Sequence, residues 1–407
     1  MNCRHCSAPL EVVFSDLGLS PLCESFVYPE KVNEGESFFP LKVWVCTSCW
    51  LVQLDEFVSP SEIFHDYAYF SSYSDSWLKH AKRYVDYMIS DFGINKNSFV
   101  VELASNDGYL LQYFVQQGIP CLGIEPAENV AQVAINIGVP SISKFFGKQT
   151  AQEILADKGQ ADLILGNNVL AHVPDINDFV GGVTILLAPD GIVTYEFPHL
   201  FTLIDQNQFD TIYHEHFSYL SLTAVQAVFA TAGLRVFHVE ELPSHGGSLR
   251  VFGCHAASSA HEERPTVHAL LKREHDLGVF QVAMYQQFND KVMRTKRLAL
   301  AELIRLKDQG KKIAGYGAPG KGNTFLNYCG ISVDFLSFTV DKNPFKHGKF
   351  LPGSRIPIFD VDKIMEEKPD YILILPWNLK KEIAAQLAYT QAWGCKLLVA
   401  IPHMQEV

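Results

Sequence analysis

"SFVVELASNDGYLLQYF", Ser98 to Phe114, decides the fold class of this chain. Its first part is a short apolar run, the mark of a buried strand. "ASNDG" then gathers turn-forming residues. "YLLQYF" follows as a helix. A strand, a Gly-containing turn and a helix in that order open a β-α unit. The unit recurs in "IPCLGIEPAENVAQVAINIG", a second strand ending in Glu125 and then a second helix. "ADLILGNNVLAHVPD", "GIVTYEFP" and "RVFHVE" continue the strands. This alternation predicts a doubly wound parallel sheet in an α/β protein. Ligands of such sheets bind beyond the carboxyl ends of the strands, where the strand order reverses.

The last third repeats the theme. "TVHALLKREHDLGVFQVAMYQQFNDKVMRTKRLALAELIRLKDQG" is amphipathic and predicts a long helical stretch from about Thr266 to Leu306, with Gly310 as its stop signal. "KKIAGYGAPGKGNTFLNYCG" is another strand, turn and helix. Gly315, Gly317 and Gly320 match G-x-G-x-x-G, and Asp341 ends the next strand where an NAD-binding acid belongs. Gly315 to Lys321 also fits the start of a P-loop, but Gly322 replaces the required Ser or Thr. Either pattern implies an anion site, with backbone N–H groups at a helix start and Lys321 nearby to favour a diphosphate. Trp377, in "DYILILPWN", suits base stacking and packing equally.

Composition sets the outer bounds. The 407 residues are 48% hydrophobic and 19% charged, enough for a sizeable core and several domains. No run of about 18 apolar residues suggests a membrane span, and the N-terminus lacks a signal-peptide core. The formal charge of −12, without a dense basic block, argues against a protein built to coat nucleic acid. Nine cysteines, an odd number without a secretory signal, suggest a reducing compartment, and a cytoplasmic protein is expected. Four of them form two C-x-x-C pairs, Cys3 with Cys6 and Cys46 with Cys49. Two such knuckles complete a tetrahedral four-sulfur zinc site with no open position, so the metal is structural. His5, between two ligands, is expected to be exposed.

"ELASNDG", Glu102 to Gly108, resembles the first motif of class I methyltransferases, which implies S-adenosylmethionine. By that resemblance Glu102, Ala104, Asn106, Asp107 and Gly108 surround the cofactor's methionine end. Glu125 stands where an acid would accept both ribose hydroxyls. "GNNVLAHV", Gly166 to Val173, resembles the motif beside the transferred methyl and brings in Asn167 and Asn168. The turn departs from the usual pattern in having a single glycine. His172, at its end, is a candidate substrate contact or a packing residue.

The order "CRHC…CTSC", "YAYFSSYSDSW", "ELASNDG", "YHEHFSYLS", "HGGSLRV" and "GYGAPGKGNT" resembles the sugar C-methyltransferases that act at C3 of nucleotide-linked 4-keto-deoxyhexoses. The likeness spans essentially the whole chain. It implies a small zinc-binding module and linker over 1–75, an S-adenosylmethionine-binding Rossmann-like domain over 76–255, and a nucleotide-sugar-binding Rossmann-like domain over 256–407. It implies His216 as the base at C3, Tyr213 as donor to the developing 4-oxyanion, and Glu215 as a residue that orients His216 or binds a sugar hydroxyl. His214 has no match and is expected to point elsewhere. One tyrosine of "YAYFSSYSDSW" belongs near the sugar, Tyr69 as first choice, with Tyr67 and Tyr73 as alternatives. His245, Lys321, Asn323 and Trp377 complete the expected substrate contacts.

Three other readings stand beside this one. "HEH" as a metal site has i, i+2 spacing and lacks a third ligand at motif spacing. An NAD-dependent nucleotide-sugar oxidoreductase would use the glycines at 315–320 with Asp341. A zinc-module interaction protein or RNA methyltransferase is disfavoured by the acidic charge. No nucleic-acid or membrane partner is expected; the oligomeric state is left open, a monomer being compatible with the sequence.

Overall fold

The computed structural model describes residues 1–59 and 70–407. Tyr67 and Tyr69 lie outside the described residues. The first stretch forms β1 (Val12–Ser20), β2 (Phe39–Val45) and β3 (Val52–Leu54). Next come α1 (Asp75–Phe92), β4 (Val100–Leu103), α2 (Leu111–Gln116), β5 (Cys121–Ile124), α3 (Glu128–Asn136) and β6 (Ser141–Ile142). They are followed by α4 (Lys148–Lys158), β7 (Ala161–Asn167), α5 (Ile176–Leu186), β8 (Leu187–Pro198) and α6 (Leu200–Asp205). β9 (Ser218–Tyr219), α7 (Leu222–Thr231), β10 (Leu234–Leu242), β11 (Ser248–His255), α8 (Pro265–Asp276) and α9 (Val282–Asp308) come next. The chain closes with β12 (Ile313–Tyr316), α10 (Gly320–Cys329), β13 (Thr339–Val340), β14 (Ile358–Phe359) and α11 (Lys363–Glu367). Last are β15 (Tyr371–Ile374), α12 (Lys380–Gln386), β16 (Lys396–Val399) and β17 (Gln405–Glu406).

Two compact units interleave along the chain. The first is built from Met1–Leu10, Cys46–His199 and Phe217–Phe280; the second from Glu11–Val45, Leu200–His216 and Gln281–Val407.

The first unit holds a seven-stranded sheet in the order β10-β11-β8-β7-β4-β5-β6. β6, β5, β4, β7 and β8 run parallel, and the order reverses between β4 and β7. β4 is buried at all four positions, as a strand covered on both faces must be. The edge departs from the all-parallel expectation, because β11 is antiparallel to both β8 and β10. Only Pro243 to Gly247 separate β10 from β11, far too few residues for a parallel crossover. α1 starts where Ser74 accepts the Trp77 N–H and stops at left-handed Gly93. Its buried stripe, Ala81, Tyr84, Val85 and Met88, has helical spacing and joins the core around Phe114, Leu165 and Phe252. Each large apolar side chain buried there contributes roughly 1.5–3 kcal/mol.

The second unit holds a six-stranded sheet in the order β14-β13-β12-β15-β16-β17. It is parallel except for β17, and its order reverses between β12 and β15. β1 and β2 pair antiparallel in the same unit. α9 packs on β1, with Phe14 stacked on Phe288 at 4.5 Å.

The amphipathic stretch expected as one long helix is two. α8 ends where Gly278 takes φ 93°. There the Gly278 N–H donates to His275 and the Val279 N–H to the Glu274 carbonyl. This closing of orphan carbonyls by a left-handed glycine terminates helices, and the "DLG" signal outweighs the continuing apolar period. Among the described residues no helix is long and apolar enough to cross a membrane.

Candidate active site

The zinc module belongs to the first unit. Cys3, Cys6, Cys46 and Cys49 bring their sulfurs within 4.8 Å of one another, and none is in a disulfide. Cys3 and Cys49 are 3.5 Å apart, as are Cys6 and Cys46. Zinc–thiolate bonds of ~2.3 Å place tetrahedral sulfurs ~3.8 Å apart, so the cluster fits the ion. Both knuckles close alike. Ser7 N–H donates to the Cys3 carbonyl and Trp50 N–H to that of Cys46, with Ser7 and Trp50 both at positive φ. Gln53 Nε2 donates to Cys3 Sγ at 3.1 Å, an outer bond that orients the ligand. His5 is buried, contrary to expectation, because its Nδ1 bonds Asn177 Oδ1 at 2.8 Å.

The second site of this unit lies at the carboxyl ends of β4 and β7. The single-glycine turn keeps its shape because Ala104, Asn106 and Gly108 all take positive φ. Gly108 is required there, since a Cβ would sit 3.0 Å from Val139 Cγ2. Glu125 is held by two backbone donors, Asn106 N–H on Oε2 and Ala127 N–H on Oε1, each at 2.9 Å. A carboxylate has about four acceptor sites, so two are left for a diol. Glu102 is fully buried, and burial raises its pKa, helped by the charges of Asp107 and Glu125. The side chains of Asn106 and Asp107 accept the backbone N–H groups of Ser71 and Ser72, at 2.8 and 3.0 Å. They thereby fix the turn that leads into α1, where Tyr73 is exposed. Asn167 donates to the Tyr109 hydroxyl at 3.1 Å. Asn168, itself left-handed, bonds His245 Nε2 at 3.0 Å, and His245 is left-handed too. His172 is half-buried, and desolvation together with the nearby His245 lowers its pKa to about 4, so its imidazole is neutral. The acid just past β5, the open-backed turn and the amides at the end of β7 fit S-adenosylmethionine.

A buried ionic network beside this cradle escaped the sequence reading. Glu196, at 0% exposure, accepts from Arg250 Nη2 at 2.6 Å and Ser244 Oγ at 2.6 Å, and lies 2.8 Å from His80 Nε2. Burial alone would raise this carboxyl; His80 and Arg250 hold it down to about 2. A lone Glu in "VTYEFP" and a lone Arg in "SLRVF" were its signal, and the two pair in register across β8 and β11.

The YHEH segment lies in the second unit. His216 Nδ1 is 2.7 Å from the Thr211 carbonyl, and its ring is 3.9 Å from that of Tyr213. A carbonyl only accepts, so Nδ1 carries the proton and the lone pair of neutral His216 is on Nε2. Glu215 is buried beside Cys23, whose Sγ is 3.5 Å from Oε1. Burial and the charge of Glu24 push its carboxyl up to about 8. His214 turns to the Pro40 carbonyl at 3.2 Å and the edge of Phe39.

The glycine fingerprint is used differently from the expected phosphate cradle. The Gly320 N–H is bonded by Glu24, and the Ala318 N–H donates to Asp341 Oδ2 at 2.7 Å. The chain's own carboxylates thus occupy these donors. The glycines answer to close packing: added Cβ atoms would lie 2.7 Å from Thr339 at Gly315, 2.5 Å from Pro376 at Gly317 and 2.9 Å from Cys23 at Gly320. Lys321 bonds Asn378 at 3.0 Å and lies over the Trp377 ring, while Trp377 Nε1 donates to Asp210 at 2.7 Å. Asn323 is fully buried, and among the described residues neither end of its amide has a hydrogen-bond partner.

A zinc-bearing module and two doubly wound sheets, one with an S-adenosylmethionine-type cradle, define the class. The family models agree. "Putative zinc binding domain" matches residues 3–64, "Methyltransferase domain" 77–239 and "C-methyltransferase C-terminal domain" 243–402. C-methyltransferase NovU of Streptomyces niveus is 40% identical over 99% of this chain and 96% of its own. A ubiquinone biosynthesis O-methyltransferase of Bartonella bacilliformis is 28% identical over 23% of this chain and 38% of its own. Among solved structures, magnesium protoporphyrin IX methyltransferase from Synechocystis, with bound SAM, is 12% identical with a TM-score of 0.35, covering 48% of this chain and 88% of that one. The chain belongs to the C-methyltransferase family, and the oxidoreductase alternative falls with that membership.

Proposed function

We propose that this C-methyltransferase moves the methyl group of S-adenosylmethionine to C3 of a nucleotide-linked 4-keto-6-deoxy or 2,6-dideoxyhexose, with dTDP as the expected carrier. The observation that carries the reading is the His216 Nδ1–Thr211 carbonyl bond, which leaves the lone pair on Nε2. A 4-ketone acidifies the C3 proton, and a histidine base suits its removal near neutral pH. His216 Nε2 takes that proton. The Tyr213 hydroxyl donates to the 4-oxygen as the enolate forms. Glu215, with its carboxyl still protonated at neutral pH, donates to a sugar hydroxyl. The cofactor supplies an electrophilic methyl when bound. Glu125 would hold the cofactor's ribose, the backbone of Ala104 to Gly108, with Glu102, Asn106 and Asp107, would shape the site for its methionine end, and Asn167 and Asn168 would complete that site.

Asn323, whose amide has no hydrogen-bond partner among the described residues, supports a polar substrate contact, and Lys321, Trp377, His172 and His245 are kept as further contacts. Tyr69 remains the tyrosine assigned to the sugar, with Tyr67 and Tyr73 as alternatives. We keep the division 1–75, 76–255 and 256–407 as the functional one. We place the enzyme in the cytoplasm, without a nucleic-acid or membrane partner. The test is incubation with methyl-labelled S-adenosylmethionine and dTDP-4-ketosugars. Label at C3 is expected; absence of transfer to any nucleotide-linked ketosugar sinks the proposal.

A further inference from the structure

The carbonyl that meets His216 belongs to a short turn, Phe209 to Thr211. Two side chains from the doubly wound part of the same unit anchor it. Trp377, just beyond β15, donates its Nε1–H to Asp210 Oδ2 at 2.7 Å. Thr324, on α10, donates its hydroxyl to the Ile212 carbonyl at 2.9 Å. Asp210 and Thr324 are each 1% exposed, so water does not compete for these bonds. Phe209 packs against Phe325 and Tyr328 of α10, at ring distances of 6.3 and 5.5 Å. The two anchors therefore bracket Thr211, one residue to each side, and fix the direction of its carbonyl.

We propose that Asp210, with its Trp377 partner, and Thr324 are positioning residues that impose the Nδ1–H tautomer on His216 through the Thr211 carbonyl. Which ring nitrogen carries the proton is set by the bond the other makes. An imidazole in water favours the opposite tautomer, with the proton on Nε2, and in that form Nε2 has no lone pair to accept the C3 proton. Loosening the turn returns His216 to that mixture. The inference rests on His216 as the base, and its test separates the two ideas.

Full-length protein labelled with ¹⁵N-histidine gives long-range ¹H–¹⁵N spectra in which the two tautomers differ. The resonance lost in His216→Asn identifies the residue. The wild type is expected to show Nδ1 protonated and Nε2 bare. Thr324→Val and Trp377→Phe each keep the shape and remove one donor. Both are expected to bring in the Nε2–H form and to lower kcat roughly tenfold, a part of the roughly hundredfold or more that acid–base catalysis contributes, at unchanged KM for S-adenosylmethionine. Thr324→Ser restores both readings. Zinc content and cofactor binding report whether each variant is folded. A wild-type His216 protonated on Nε2, or variants that keep the Nδ1–H form and full kcat, overturn the proposal. Full turnover by His216→Asn overturns the base assignment instead, and the spectra still judge the positioning.

Discussion

At the scale of single residues, His216 and Glu215 divide the chemistry by environment. His216→Asn removes the lone pair and is expected to cut transfer by at least about a hundredfold, with cofactor binding kept, measured by turnover and calorimetry. Glu215 makes a pH prediction. Burial and Glu24 raise its carboxyl to about 8, so it stays protonated through neutral pH and ionises as pH rises past that value. Substrate affinity is therefore expected to fall above about pH 8, and Glu215→Gln, which mimics the protonated form, to flatten that limb. A pH profile of KM for the sugar checks this. The sequence singled out these residues by resemblance; it contained no sign of the carboxyl shift. That shift comes from burial and from the charge of Glu24, nearly two hundred positions away in the chain.

At the scale of elements, the Glu196–Arg250 bond ties β8 to β11, and His80 brings in α1. The folded carboxyl sits near 2, against 4.5 for an unstrained glutamate. Its contribution is thus present above pH 4.5 and lost as pH falls toward 2. The shift corresponds to about 3 kcal/mol. Glu196→Gln should flatten the acid side of a stability–pH curve by that order, read from urea unfolding. The turn after β12 gives a second element-scale outcome. Gly317→Ala places a Cβ 2.5 Å from Pro376 at φ 90°, and a loss of ~2 kcal/mol or more is expected in the same assay. Local pattern revealed β4, α2 and β5 plainly. It missed the break at Gly278, because the apolar repeat runs on through the stop signal.

For the whole molecule, each compact unit is assembled from three separated chain segments. Cys3 and Cys6 meet Cys46 and Cys49 across an intervening stretch most of which, Glu11–Val45, belongs to the other unit. Metal binding is coupled to folding in such modules. Chelation, or Cys46→Ser, is expected to lower the thermal midpoint by several degrees and release one zinc per chain, seen by calorimetry and metal analysis. Local pattern in the chain was enough for the β-α alternation, the two doubly wound sheets and the four zinc ligands, because each depends on neighbours a few residues apart. Tertiary structure alone decided which proton His216 carries, which carboxylates occupy the Ala318 and Gly320 donors, and that Glu196 meets Arg250. Those are contacts between distant positions, set by strand order and register, and a hydrogen bond a few ångströms long has no trace in the spacing of residues along the chain.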